Sequence, residues 1–91
     1  MDIGKILVEL KSNLQISWDS EDEKLKACLE RGQAKVNGLT GTNLDYDANI
    51  EARALLLDCC RYDYNNCSEY FEENFRSEIL RLQLKEAVTN G

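Results

Sequence analysis

The chain has no histidine and no proline, and only five glycines, one methionine and one tryptophan among its 91 residues. Without histidine, the commonest general base, triad relay and zinc ligand are missing. The lack of proline and the scarcity of glycine and β-branched residues leave little to interrupt helices, so helices joined by short turns are expected. No apolar run approaches the ~20 residues that a membrane-spanning helix requires. The phosphate-cradling GxxxxGKS/T and GxGxxG patterns and the EF-hand spacing are all missing. Cysteine is present at Cys28, Cys59, Cys60 and Cys67, but not in chelating order. Adjacent Cys59 and Cys60 project about 100° apart on a helix, unlike a CxxC pair. No leader-like stretch precedes them, so reduced, mostly buried thiols in a cytoplasmic setting are expected. Neither a catalytic, a cofactor-binding nor a metal site is expected.

What is present describes one small globular domain spanning 1–91. Hydrophobic residues make up 43% and charged residues 31%, the balance of a folded chain rather than a disordered one. The net charge of −6 is spread evenly, with nine acids and six bases in residues 1–47 and eight acids and five bases in 48–91. Such a surface has no basic footprint for a nucleic-acid backbone. It suits solubility, or a wall that DNA passes without sticking. The acid-rich stretches Asp19–Glu23 and Glu69–Glu73 read as a helix start and a solvated helix face, not as catalytic carboxylates.

Residues 48–65 form the organising element. On a helix, Ile50, Ala54, Leu57 and Tyr64 cluster on one side, and Ala52, Leu55, Leu56, Cys59, Cys60 and Tyr62 extend the apolar surface most of the way round. Glu51, Asp58, Arg61 and Asn65 share the remaining wedge. A helix apolar on nearly every side belongs in the middle of a bundle.

Around it the chain predicts four to five helices. Residues 2–14 carry Ile3, Ile6, Leu7, Leu10 and Leu14 on one face, with Asp2 as cap. Gln15–Asp19 reads as an extended connector that tucks Ile16 and Trp18 onto the core. Ser20 and Glu23 fit a capping box for a second helix ending near Asn37-Gly38. Gly32, on that helix's apolar stripe, marks close approach of another helix, since glycine there costs about 1 kcal/mol of helix propensity. Residues 38–47 form the one substantial loop, with a Thr40-Gly41 turn, with Leu39, Leu44 and Tyr46 pinning it and with Asp47 capping the central helix.

In the last third, Ser68 is a candidate cap, Phe71, Phe75, Ile79 and Leu82 form a helical stripe, and Asn74–Ser77 is a possible break. Leu80, Leu82 and Leu84 also alternate with polar residues, so 79–91 reads equally as helix or as an extended arm, loose after Ala87. The aromatics at 62, 64, 70, 71 and 75 read as packing, with a contact surface as the other possibility. Ile79, Leu80, Leu82, Leu84 and Val88 are the candidates for partner binding, because so small a body has little surface left to cover them.

The order of elements resembles the small head–tail connector (adaptor) proteins of long-tailed bacteriophages and prophages. The likeness covers an opening amphipathic helix ending in LKSNLQI, the acidic start of DSEDEKLKACLERGQAKV, the Thr40-Gly41 turn, the central ARALLLDCCRYDYNN and the closing EYFEENFRSEILRLQL. The resemblance implies an all-α subunit, monomeric when free, that forms a ring with copies of itself, commonly twelve, under the portal protein at the virion neck. It would be made in the bacterial cytoplasm, extend the DNA channel and dock the downstream neck, stopper or tail protein. By the same likeness 79–88 would engage the portal. The 38–47 loop, with Thr40, Asn43 and Asp45, would face the channel or the downstream protein. The alternative from another class is a small acidic helical regulator or DNA-mimic inhibitor of a basic protein, which would need acids massed on one face. A helical domain of some other assembly is the third reading.

Overall fold

The structure, a computed structural model, describes residues 1–90, which form α1 (Ile3–Leu14), α2 (Asp22–Thr40), α3 (Ile50–Tyr64), a 3-10 turn (Ser68–Tyr70), α4 (Phe71–Asn74) and α5 (Arg76–Asn90). No strand occurs among the described residues, so the chain is an all-α bundle, a slab of 43 × 26 × 17 Å.

Backbone chemistry sets the boundaries of α1. Asp2 accepts the Lys5 N–H at 3.3 Å at its start. At its end Gln15 turns into the left-handed region at φ 58°, and the Ile16 N–H reaches back to the Lys11 carbonyl at 2.8 Å. That Schellman closure turns Ile16 inward, where it is buried. Trp18 does not follow it. Instead of plugging the core as its position suggests, the side chain is 49% exposed, and its indole N–H donates to Glu21 at 2.8 Å. Once the turn has buried Ile16, the carboxylate beside the helix start offers the indole its hydrogen bond at the surface.

α2 also departs from expectation at both ends. Ser20 and Glu23 form no capping box; Glu21 holds the cap position without a side-chain cap bond. The neighbouring acids are engaged elsewhere, Glu21 with Trp18 and Tyr64 and Asp22 with Lys11. At the other end the helix runs through Asn37-Gly38 to Thr40 and stops at Gly41, whose φ of 74° suits glycine. Asn37 is a loop anchor rather than a cap. Its side-chain oxygen accepts the Tyr46 hydroxyl at 2.7 Å and the Leu44 N–H at 3.2 Å. Leu44 and Tyr46 are thereby held in the core as expected, with Leu39 packed beside them.

Asn49, not Asp47, caps α3, accepting the Ala52 N–H at 3.0 Å. Asp47 instead binds the start of the chain, taking the Asp2 N–H at 2.9 Å. The α2–α3 contact is the most extensive in the fold, and Gly32 lies in it. A Cβ there would stand 2.9 Å from Leu56 Cδ1 and 3.1 Å from Cys60 Sγ. Ala52, Leu55, Leu56, Leu57, Cys59 and Cys60 are all buried, so α3 is central as expected. One side of its N-terminal half is the exception: Ile50 and Ala54, four residues apart, are exposed, because α1, α2 and α5 cover the other sides.

Cys67 rather than Ser68 precedes the 3-10 turn, and neither caps it with a side chain. Phe71 is fully buried and meets Phe75 and Tyr62 at ring-centroid distances of 5.3 and 6.2 Å. The break expected at Asn74–Ser77 falls at Phe75, where α4 ends. Beyond it 79–90 is helix, not an extended arm, and it stays helical past Ala87; Gly91 lies outside the described residues.

Candidate functional site

α5 lies along the body with α3 on one side and the end of α2 on the other. Lys85 hydrogen-bonds to Glu51 at the start of α3, and the Gln83 amide donates to the Leu39 carbonyl of α2 at 2.6 Å. These contacts fix the rotation of α5, and the rotation divides the five candidate residues. Ile79 and Leu82 face inward and belong to the core. Leu80, Leu84 and Val88, four residues apart, line the outer face at 53, 59 and 83% exposure. The expected partner-binding group is therefore two core residues and one three-residue stripe. The extended arm that 79–91 also suggested is, over 79–90, a helix that supplies Ile79 and Leu82 to the core.

Sequence reasoning missed Ile50, which is 72% exposed. With Glu51, Lys85 and Glu86 it lines a shallow hollow at the start of α3, beside the Lys85–Glu51 pair. That pair holds the Glu51 carboxyl below its ordinary range, chiefly through the Lys85 hydrogen bond. Between the two helices runs a groove with Ala54, Leu55 and Leu82 as its floor and Glu51, Asp58, Glu78 and Arg81 as its walls. Burial raises the Asp58 pKa, the Arg61 charge opposes the rise and the Glu78 charge adds to it.

The loop candidates are engaged or isolated. The Thr40 hydroxyl donates to the Val36 carbonyl at 2.9 Å. Asp45 accepts the Asp47 and Ala48 N–H groups at 3.1 and 3.2 Å, an Asx turn that shapes the loop. Asn43 is exposed.

The thiols serve packing. Cys28, Cys59 and Cys60 are buried and Cys67 half-buried, none in a disulfide. Burial pushes Cys59 up to about 11 and Cys60 up as well, so both stay protonated at neutral pH and are poor nucleophiles. Among the described residues no group of three or more cysteines and carboxylates is placed to hold a metal ion, and no helix is long and apolar enough to cross a membrane. No family model matches the chain, and no curated protein or solved structure matches it either.

Proposed function

We propose that the chain is a structural subunit of head–tail connector type, without turnover, whose outer α5 face docks onto a portal ring. The carrying observation is the unpartnered stripe of Leu80, Leu84 and Val88 on a helix otherwise fixed to the body. The resemblance in element order supplies the context in which such a stripe has a partner. About twelve copies would then line the neck and extend the channel. Each weak lateral contact gains from ring closure and from the portal as template. The acidic surface of the assembled ring repels DNA phosphates and keeps the duplex mobile. The 41–49 loop, with exposed Asn43, is the candidate for the downstream neck or tail protein; Thr40 and Asp45 are occupied in shaping it.

The regulator reading is the weaker one, because the acids are broken up by cations: Lys11 with Asp19 and Asp22, Arg31 with Asp63, Arg53 with Glu9 and Lys85 with Glu51. The test is electron microscopy of the purified protein mixed with its cognate portal ring. A collar of extra density under the portal is expected. Bare portal rings at tens of micromolar subunit would overturn the proposal.

A further inference from the structure

On the side of the bundle where α2 meets the end of α3 and the 3-10 turn, a hollow of about 160 Å³ is lined by Arg31, Gly32, Lys35, Cys59, Asp63 and Ser68. Helix spacing brings these residues together. Arg31 and Lys35, four apart on α2, flank side-chain-free Gly32, and Cys59 and Asp63, four apart on α3, lie opposite. Buried Cys59 is the floor.

The two cations of the hollow are engaged differently. Arg31 gives Nε and Nη2 to one oxygen of Asp63, at 3.1 and 2.9 Å, so those two charges neutralise each other. Half-buried Lys35 has no carboxylate partner among the described residues. Its ammonium reaches the Ser68 carbonyl at a long 3.5 Å and stands 5.6 Å from the centroid of the Phe71 ring. Burial raises the pKa of the Cys59 thiol, and Lys35 leads the nearby charges, opposing that rise. The ammonium therefore acts over the floor of the hollow. The Ser68 hydroxyl, also at the wall, has no hydrogen-bond partner among the described residues. Glu30 and Glu69, the acids adjacent in sequence, do not line the space. Two cations less one carboxylate leave the hollow one positive charge, in a chain of net charge −6.

We propose that this hollow binds a small oxyanion, a phosphate or carboxylate group held between the Lys35 ammonium and the Ser68 hydroxyl. Lysine binds such groups as a point charge, and a serine hydroxyl adds a directed donor. Asp63 repels the anion less than a free carboxylate would, because Arg31 already neutralises it. A divalent cation is the poorer ligand: Lys35 and Arg31 repel it, and one carboxylate is too few to hold it. The volume suits the anionic group itself, not a drug-sized molecule, whose pockets run to about 300–1,000 Å³. The inference does not depend on the connector reading.

The test is an NMR titration of the isotope-labelled protein with sodium phosphate and with sodium acetate, at constant ionic strength set by sodium chloride. The expected result is saturable amide shifts at 31–35, 59–63 and 67–69 at millimolar anion. Lys35→Gln should weaken binding by at least about tenfold, and Ser68→Ala by on the order of fivefold. The tighter of the two anions names the group that the hollow takes. Shifts that fail to saturate, that chloride reproduces, or that persist unchanged in both variants would overturn the proposal. Ser68→Ala carries the test alone if Lys35→Gln does not fold.

Discussion

Two glycines in one helix should respond oppositely to the same change. Gly32 and Gly38 both lie inside α2, where alanine improves helix propensity by about 1 kcal/mol. At Gly38 nothing lies within 4 Å of an added Cβ, so Gly38→Ala should keep most of that gain, about 0.5–1 kcal/mol. At Gly32 the new carbon would stand 2.9 Å from Leu56 Cδ1 and 3.1 Å from Cys60 Sγ, where carbon atoms prefer about 3.5–4.0 Å. Leu56 and Cys60 are themselves buried, so relief means shifting α3 against α2. Overpacking of this kind costs about 1–3 kcal/mol, leaving Gly32→Ala neutral to about 2 kcal/mol destabilising. The two variants should therefore differ by on the order of 0.5–3 kcal/mol. That corresponds to melting points at least about 2 °C apart for a domain of this size. Thermal unfolding of both, monitored by far-UV circular dichroism, measures the gap. If Gly32→Ala stabilised as much as Gly38→Ala, the close packing of α2 on α3 would be refuted.

Leu82→Ala should cost about 2–5 kcal/mol, whereas Leu84→Ala, two residues on but outward, should stay within about 0.5 kcal/mol; urea unfolding of the pair separates core from surface, and equal losses would contradict the rotation of α5. The single tryptophan, Trp18, should emit like a solvated indole and be quenched readily by acrylamide in the folded state, whereas a blue-shifted, protected emission would restore it to the core. Stability should fall in alkali: the Cys59 thiol, raised from 9.0 to about 11 by burial, favours folding fully below pH 9, and that contribution is lost as pH climbs toward 11. Melting points under reducing conditions at pH 8 to 11 should drop, less steeply in Cys59→Ala; identical slopes would show that this thiol plays no part in the alkaline loss.

What the sequence disclosed and what it hid have physical causes. The central helix was legible because apolar residues surround it on nearly every side. Gly32 was legible because a glycine on an apolar stripe sacrifices helix propensity and side-chain burial together, a loss that close approach of a second helix offsets. Caps were harder. Ser20, Asp47 and Gly38 each sit where a cap would serve, yet Asp47 is drawn to the chain's start and Gly38 points to open solvent, while Asn49 and Gly41 do the capping. Trp18 was misread because a large aromatic suggests burial, but its polar edge had a carboxylate within reach. In the candidate site, the alternation of Leu80, Leu82 and Leu84 suits helix and strand alike over so short a run. Only the contacts of Gln83 and Lys85 with the neighbouring helices decide which leucines face outward, and only the placement of α5 beside α3 leaves Ile50 uncovered.

If the outer face of α5 is a docking surface separable from the fold, a charge at its middle removes docking and leaves folding intact. Leu84→Glu tests it most directly when the variant and the parent protein are mixed with the portal ring under identical conditions, with urea unfolding of each as control. The expected result is an unfolding free energy within about 0.5 kcal/mol of the parent and loss of the collar of density that the parent forms. A collar formed equally by the variant would contradict the claim and move the interface to another face of the bundle.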